Sequence, residues 1–230
     1  MNKYIVCSAC SELENELCSQ LIGAGIEVTL LGLLPTDLAV EQLEGKFDGV
    51  FNIACIPPVI NQPELIFKVT FSGIKYLTSK LIPLLNDGAA IVNVGAHLSD
   101  KTEDITLLQN LIDSDISESL EHILEKQNVD PQLAFELAKR SIIAWTEQFS
   151  SLHKNRSIRS ISISPDCAQV STEYIFGSTL NTQHVSEIAG MCIQLSRPEF
   201  RLLNGINIYA DGGTETFRKF NSRYSMNAHL

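Results

Sequence analysis

Apolar residues in this chain come either in short unbroken runs or in rows of helical spacing, and the two kinds alternate from one end to the other. Lys3-Tyr-Ile-Val-Cys7 is a run with a β-branched pair and predicts a buried strand. Ser8 to Ser11 is a turn, after which Leu13, Leu17, Cys18, Leu21 and Ile22 recur at helical spacing from Glu12 onward. Gly23-Ala-Gly25 ends that helix, and Ile26 to Leu31 predicts a second strand. Thr36 to Gly45 has room for a stub of strand and one or two helical turns. Phe47 to Ala54 reads as another buried strand with the polar Asn52 near its end. Beyond the Pro57-Pro58 loop, Gln62 to Leu84 predicts a long helix stopped by Asn86-Asp87-Gly88, and Ala89 to Val94 a continuous apolar strand.

Residues 97–129 are polar and acidic, with helical patches at Ile105 to Leu111 and Ile116 to Leu124. Asp130-Pro131 supplies an N-cap and a first-turn proline for a helix that runs to about Ser151. Ser157 to Ile163 is a strand ended by Ser164-Pro165, His184 to Leu195 a helix, and Asn204 to Ala210 the last strand. This alternation predicts an α/β fold: a Rossmann-like, doubly wound parallel sheet in a single domain over residues 1–230. It carries a helical insert at about 97–129, after the fifth main strand, and a C-terminal tail at 214–230.

Composition narrows the classes. A chain of 230 residues, 44% hydrophobic, can close one core. Its formal net charge of -10 argues against nucleic acid and anionic membranes, which bind basic surfaces. No apolar run reaches membrane-spanning length, and the chain enters a strand at once, with no pattern of a signal peptide. Six scattered cysteines suit a reducing compartment, so the expected location is the cytoplasm. Cys7 with Cys10, Cys55 and Cys167 fall at three strand ends; small apolar packing explains them better than a metal site, and none is expected.

A strand, a tight turn and a helix at the start of a chain is how a dinucleotide-binding unit opens. Glycines there let the backbone approach a pyrophosphate, and the helix start donates its amides. In this chain the turn has no glycine, and the helix start carries Glu12 and Glu14. Gly23-Ala-Gly25 is no substitute, since it follows a helix and precedes a strand. At the end of the second strand, Gly32-Leu33 offers neither an acid for ribose hydroxyls nor an arginine for a 2′-phosphate.

Several landmarks in sequence order resemble the short-chain dehydrogenase/reductase family. Phe51-Asn-Ile-Ala-Cys55 is similar to its N-N-A-G strand end, Val69-Thr-Phe-Ser-Gly73 to V-N-x-x-G, and Ala90-Ile-Val-Asn-Val94 to I-V-N-I. Phe135-Glu-Leu-Ala-Lys139 is similar to Y-x-x-x-K, Ser164-Pro-Asp166 to S-P-G, and Tyr209-Ala-Asp-Gly-Gly213 to Y-V-D-G-G. The insert after Ala96 resembles the branch of 3α-hydroxysteroid dehydrogenase/carbonyl reductase. The resemblance implies an NAD(P)-dependent oxidoreductase, and the same residues then show what is missing. The position of the family's proton-donating tyrosine is Phe135, that of its substrate-holding serine is Ala96, and that of its relay asparagine is Thr70. Lys139 alone is kept, as a catalytic remnant or as a solvated helix residue.

In the phosphate turn the family glycines fall on Ser8, Glu12 and Glu14, and Ser11-Glu-Leu-Glu14 is itself a capping box. Ser8, Glu12, Glu14 and Asn52 therefore mark a vestigial slot, and no cofactor is expected. The leading expectation is a non-catalytic subunit that joins an active homologous dehydrogenase, or a second copy of itself. Its apolar rows Leu77, Leu81, Leu84 and Ile142, Ile143, Trp145 are offered as contacts, as is the last strand with Phe217, Phe220 and Tyr224. The alternatives are a diverged NAD(P)-dependent ketone or alcohol oxidoreductase, or a cofactor-free lyase, isomerase or cyclase. The last would take a small molecule in the crevice and use His97, Lys139 and Asp166.

Overall fold

The structure is a computed structural model that describes residues 2–8, 11–32, 37–96, 105–113, 118–165, 182–214, 216, 217 and 220. Among the described residues six parallel strands form one sheet: β1 (Lys3–Cys7), β2 (Glu27–Leu31), β3 (Phe47–Asn52), β4 (Leu85–Val94), β5 (Arg159–Pro165) and β6 (Ile206–Ala210), in the order β2-β1-β3-β4-β5-β6. The helices between them are α1 (Glu12–Gly23), α2 (Asp37–Glu41), α3 (Pro63–Phe67), α4 (Gly73–Leu81), α5 (Ile105–Asp113), α6 (Glu118–Lys126), α7 (Pro131–Leu152) and α8 (Thr182–Ser196).

Successive strand residues point to opposite faces, and both faces are buried, so the strands read as unbroken apolar runs. Ile5, Val50 and Ile91 join the core under α3, α4 and α7, while Tyr4, Val6, Phe51, Val92, Ile161 and Ile163 join the core under α1 and α8. On β5 the alternate positions are Ser160, Ser162 and Ser164, all fully buried. They hold polar partners rather than apolar surface.

Four details depart from the sequence pattern. Between β2 and β3 the described residues form the short helix α2, and the insert follows the fourth strand among the described residues. The long helix expected over Gln62 to Leu84 is built in pieces, with a π-helical turn at Lys68–Ser72 between α3 and α4 and a 3-10 turn at Ile82–Leu84. β4 starts at Leu85, because Gly88 at φ 82° lets the chain bend within the strand instead of ending it. Finally, Leu77, Leu81, Ile142 and Trp145 belong to the core, so they are spent on this chain's own packing and are not interface residues.

Gly49 shows how closely the middle of the sheet is packed. A Cβ there would stand 2.8 Å from the Tyr4 ring and collide with the Ala90 carbonyl, which is backbone and cannot yield. Tyr4 is fixed in turn against Phe51, with ring centres 5.2 Å apart. Gly49→Ala is therefore expected to lower unfolding free energy by about 1–3 kcal/mol, the usual cost of overpacking, read from urea or guanidinium midpoints. A variant as stable as wild type would show that β3 and β4 can separate at this point.

Candidate functional site

In an open parallel sheet ligands lie beyond the carboxyl ends of the strands, at the place where the strand order reverses. Here β1 has β2 on one side and β3 on the other, and the ends to consider are Cys7, Asn52, Val94 and Pro165.

α7 brings Phe135 and Lys139 to the end of β4. They are four residues apart, hence on the same face of the helix, and that face is turned inward. Phe135 is 4% exposed and Lys139 3%, so Lys139 is not a solvated helix residue. Its Nζ donates to the Val94 carbonyl at 2.9 Å and lies 5.8 Å from the centre of the Phe135 ring, close enough for a cation–π contact. Ala96, next along from β4, is buried and brings no hydroxyl. Thr70 sits in the π-helical turn, where its Oγ1 accepts from the Ile56 amide at 3.1 Å. Thus Phe135 and Lys139 stand together at the end of β4, neither Phe135 nor Ala96 carries a proton donor, and the Thr70 hydroxyl oxygen is engaged by the Ile56 amide. His97 and Asp166 lie outside the described residues, as do Cys10 and Cys167.

The slot residues divide. Ser11 caps α1 in extended geometry (φ -102°, ψ 161°), and its Oγ accepts from the Glu14 amide at 3.2 Å. Glu12 is exposed and Glu14 half-buried in the same first turn. Ser8 is 4% exposed; its amide donates to the Leu31 carbonyl at 3.0 Å, and its hydroxyl has no partner among the described residues. Asn52 is not in the slot. It is wholly buried, and its Nδ2 donates to Thr78 Oγ1 at 3.0 Å and to Asn93 Oδ1 at 2.8 Å, so it ties the sheet to α4.

The groups present do not fit NAD(P). A diphosphate needs bare backbone to approach and open amides to receive it, whereas Ser8 is buried with its side chain, Ser11 caps an amide of the helix start, and the carboxylates of Glu12 and Glu14 stand in the first turn. No step of chemistry follows from that cofactor here.

Two features had no clear sequence signal. The π-helical turn buries Val69, Thr70, Phe71 and Ser72 together, and nothing in the apolar spacing distinguishes it from ordinary helix. Between β5 and β6, Asn207 Oδ1 accepts from Ser162 and Ser164, at 2.8 Å each, while its Nδ2 lacks a partner among the described residues. The Ser160, Ser162, Ser164 alternation was the available clue to that cluster. A groove of about 400 Å³ lined by Pro63, Glu64, Leu124, Glu125, Asn128 and Val129 lies between α3 and the end of α6, away from these residues. Among the described residues no group of His, Cys, Asp and Glu could hold a metal ion.

No family model matches the sequence. It is 29% identical over 192 residues to coniferyl-alcohol dehydrogenase of Pseudomonas sp. (strain HR199 / DSM 7063), covering 77% of this chain and 75% of that protein. Among solved structures it is similar to the 3-alpha-hydroxysteroid dehydrogenase of Pseudomonas sp. B-0831 complexed with NADH, at TM-score 0.74, 17% identity and 99% of each chain. A short-chain dehydrogenase/reductase from Serratia marcescens BCRC 10948 gives TM-score 0.65 and 14% identity over 92% of this chain and 96% of that one. This chain has the short-chain dehydrogenase/reductase fold and is related to its oxidoreductases. The match to the hydroxysteroid dehydrogenase covers 99% of each chain.

The free thiols give a direct check on the packing of this region. Burial pushes the Cys192 thiol up to about 12 and the Cys7 thiol higher than any working pH. Cys18 is raised less, by partial burial and by the Glu14 carboxylate, and Cys55 is half-buried. Iodoacetamide at pH 8 should therefore label Cys18 and Cys55 in the native protein and reach Cys7 and Cys192 only after denaturation, by peptide mapping. Rapid native labelling of Cys7 would mean that the end of β1 is open to solvent.

Proposed function

We propose that this short-chain dehydrogenase/reductase relative no longer transfers hydride, needs no NAD(P), and serves in the cytoplasm as a non-catalytic subunit beside an active homologue. Phe135 carries the reading. It stands against Lys139 at the position where the family places its phenol, and a phenyl ring has no proton to give to a carbonyl oxygen. General acid–base catalysis is worth about 10²–10⁴-fold, so this loss alone would leave a slow enzyme. Ser8, Glu12 and Glu14 at the family's glycine positions argue against the cofactor as well.

The surface we assign to a partner is the β6 edge of the sheet. β6 is an edge strand, and Tyr209 on it, with Leu202, Phe217 and Phe220 nearby in sequence, is exposed; Leu202 reaches 91%. Rows of exposed aromatic and aliphatic side chains of this kind mark interaction surfaces. No helix among the described residues is long and apolar enough to cross a membrane.

A second reading is favoured by the comparisons: an NAD(P)-dependent alcohol or ketone oxidoreductase with another acid. The similarity to coniferyl-alcohol dehydrogenase and the NADH-bound neighbour in fold both speak for it. Assay of coniferyl alcohol oxidation with NAD⁺ and NADP⁺ separates the two. The expected result is no turnover by the wild type, and none by Phe135→Tyr with Ala96→Ser, because the cofactor is not held. Turnover by the wild type would establish the second reading. Co-expression with an intact homologue from the same gene neighbourhood, followed by light scattering, should give a mixed oligomer. A homodimer indifferent to every such homologue would remove the subunit role.

A further inference from the structure

We infer that α1 excludes the dinucleotide by occupying its own phosphate site, with Ser8, Ser11, Glu12 and Glu14 as the excluding residues. The inference rests on the proposed loss of cofactor and names the device that enforces it. Three separate observations converge on the turn between β1 and α1.

The first is the cap. Ser11 Oγ already takes the Glu14 amide, and the Ser11 carbonyl takes the Asn15 amide at 3.2 Å. The open amides of a helix start are what an anion binds, and here one is spent on a side chain. The second is charge. Glu12 and Glu14 set two carboxylates in the first turn, where the helix dipole favours them. Each close pair with a phosphate charge opposes binding by about 1 kcal/mol at 4 Å in water, and by more where water is displaced.

The third is volume. The Ser8 side chain is buried, and its hydroxyl is without a partner among the described residues. A buried hydroxyl with no hydrogen bond is costly. Ser8 stands where the family's turn has a glycine, and its Cβ and Oγ keep a phosphate oxygen from approaching the backbone as closely as a glycine would allow. The cap, the charge and the filled space do not depend on one another. Glu12 could turn outward without reopening the cap, and Ser11 could release the amide without emptying the turn.

The test is NADH titration, followed by nucleotide fluorescence and by calorimetry, on the full chain and on two sets of variants. Glu12→Gln with Glu14→Gln removes charge at constant shape. Ser8→Gly with Glu12→Gly and Glu14→Gly removes charge and volume together. The wild type should not saturate at millimolar NADH. The glutamine pair should bind at least about tenfold tighter than wild type, since every 1.4 kcal/mol is tenfold, and that gain should shrink in high salt. The triple glycine variant should bind tighter still, with thermal unfolding confirming that it is folded. Glycines in a first turn weaken a helix, so if that variant does not fold, the glutamine pair decides alone. Folded variants that bind NADH no better than wild type would overturn the inference and leave the proposed function in place. Saturation of the wild type would overturn both.

Discussion

The Asn93 side chain is the knot on which the layers of this protein depend. Its Oδ1 accepts from Asn52, while its Nδ2 donates to Thr146 Oγ1 at 2.9 Å and to Ser160 Oγ at 3.1 Å. Through Asn52 the chain of bonds continues to Thr78. One wholly buried amide therefore joins β3, β4 and β5 to each other and to α4 and α7 on one face of the sheet. A buried amide left short of partners costs about 1–3 kcal/mol per group, so the alignment of five elements is specified by polar bonds as well as by apolar contact. The position of α7 follows. With Thr146 held at Asn93, the turns before it place Phe135 and Lys139 beside Val94, the next residue of the same strand.

That geometry accounts for how much could be seen in the sequence. The strands were legible because a parallel sheet buries both faces, and runs such as Tyr-Ile-Val and Ala-Ile-Val-Asn-Val leave few other readings. The Ser11 cap was legible because serine followed three residues later by glutamate satisfies orphan amides in one way. Burial of Lys139 was legible in principle: it lies four residues after Phe135 and three before Ile142, on the row that faces the core. It was left open because a lysine by itself suggests solvent. The roles of Asn52 and Asn93 could not be read, since a strand-end asparagine looks the same whether it faces a crevice or a neighbouring strand. Only register, with Asn52 opposite Asn93, distinguishes them.

The π-helical turn belongs to a different class of omission. Its five residues, Lys68 to Ser72, carry no glycine, proline or change of period. What it accomplishes is three-dimensional: it turns Thr70 inward, where its hydroxyl closes the Ile56 amide. An extra residue in a helical turn is stabilised by the packing it permits, not by local preference. No one-dimensional pattern contains that information.

The site raises a question of economy between the two functional readings. Two of the changes, the phenyl ring of Phe135 on α7 and the glutamates at the start of α1, lie on elements that pack on opposite faces of the sheet. Replacing a phenol by a phenyl ring acts on proton transfer and leaves nucleotide binding untouched. Capping α1 with its own serine and two glutamates acts on nucleotide binding and leaves proton transfer untouched. An oxidoreductase with a relocated acid must explain the second change separately, because such an enzyme needs its phosphate turn as much as before. Release from hydride transfer explains both at once. It also leaves the demands of the fold in force, which is where this chain is strict: the amide knot at Asn93, the bare Cα of Gly49 against Tyr4, the inward row of α7. Those features hold a six-stranded sheet and its last edge in shape, and an edge in shape is all that a partner subunit requires.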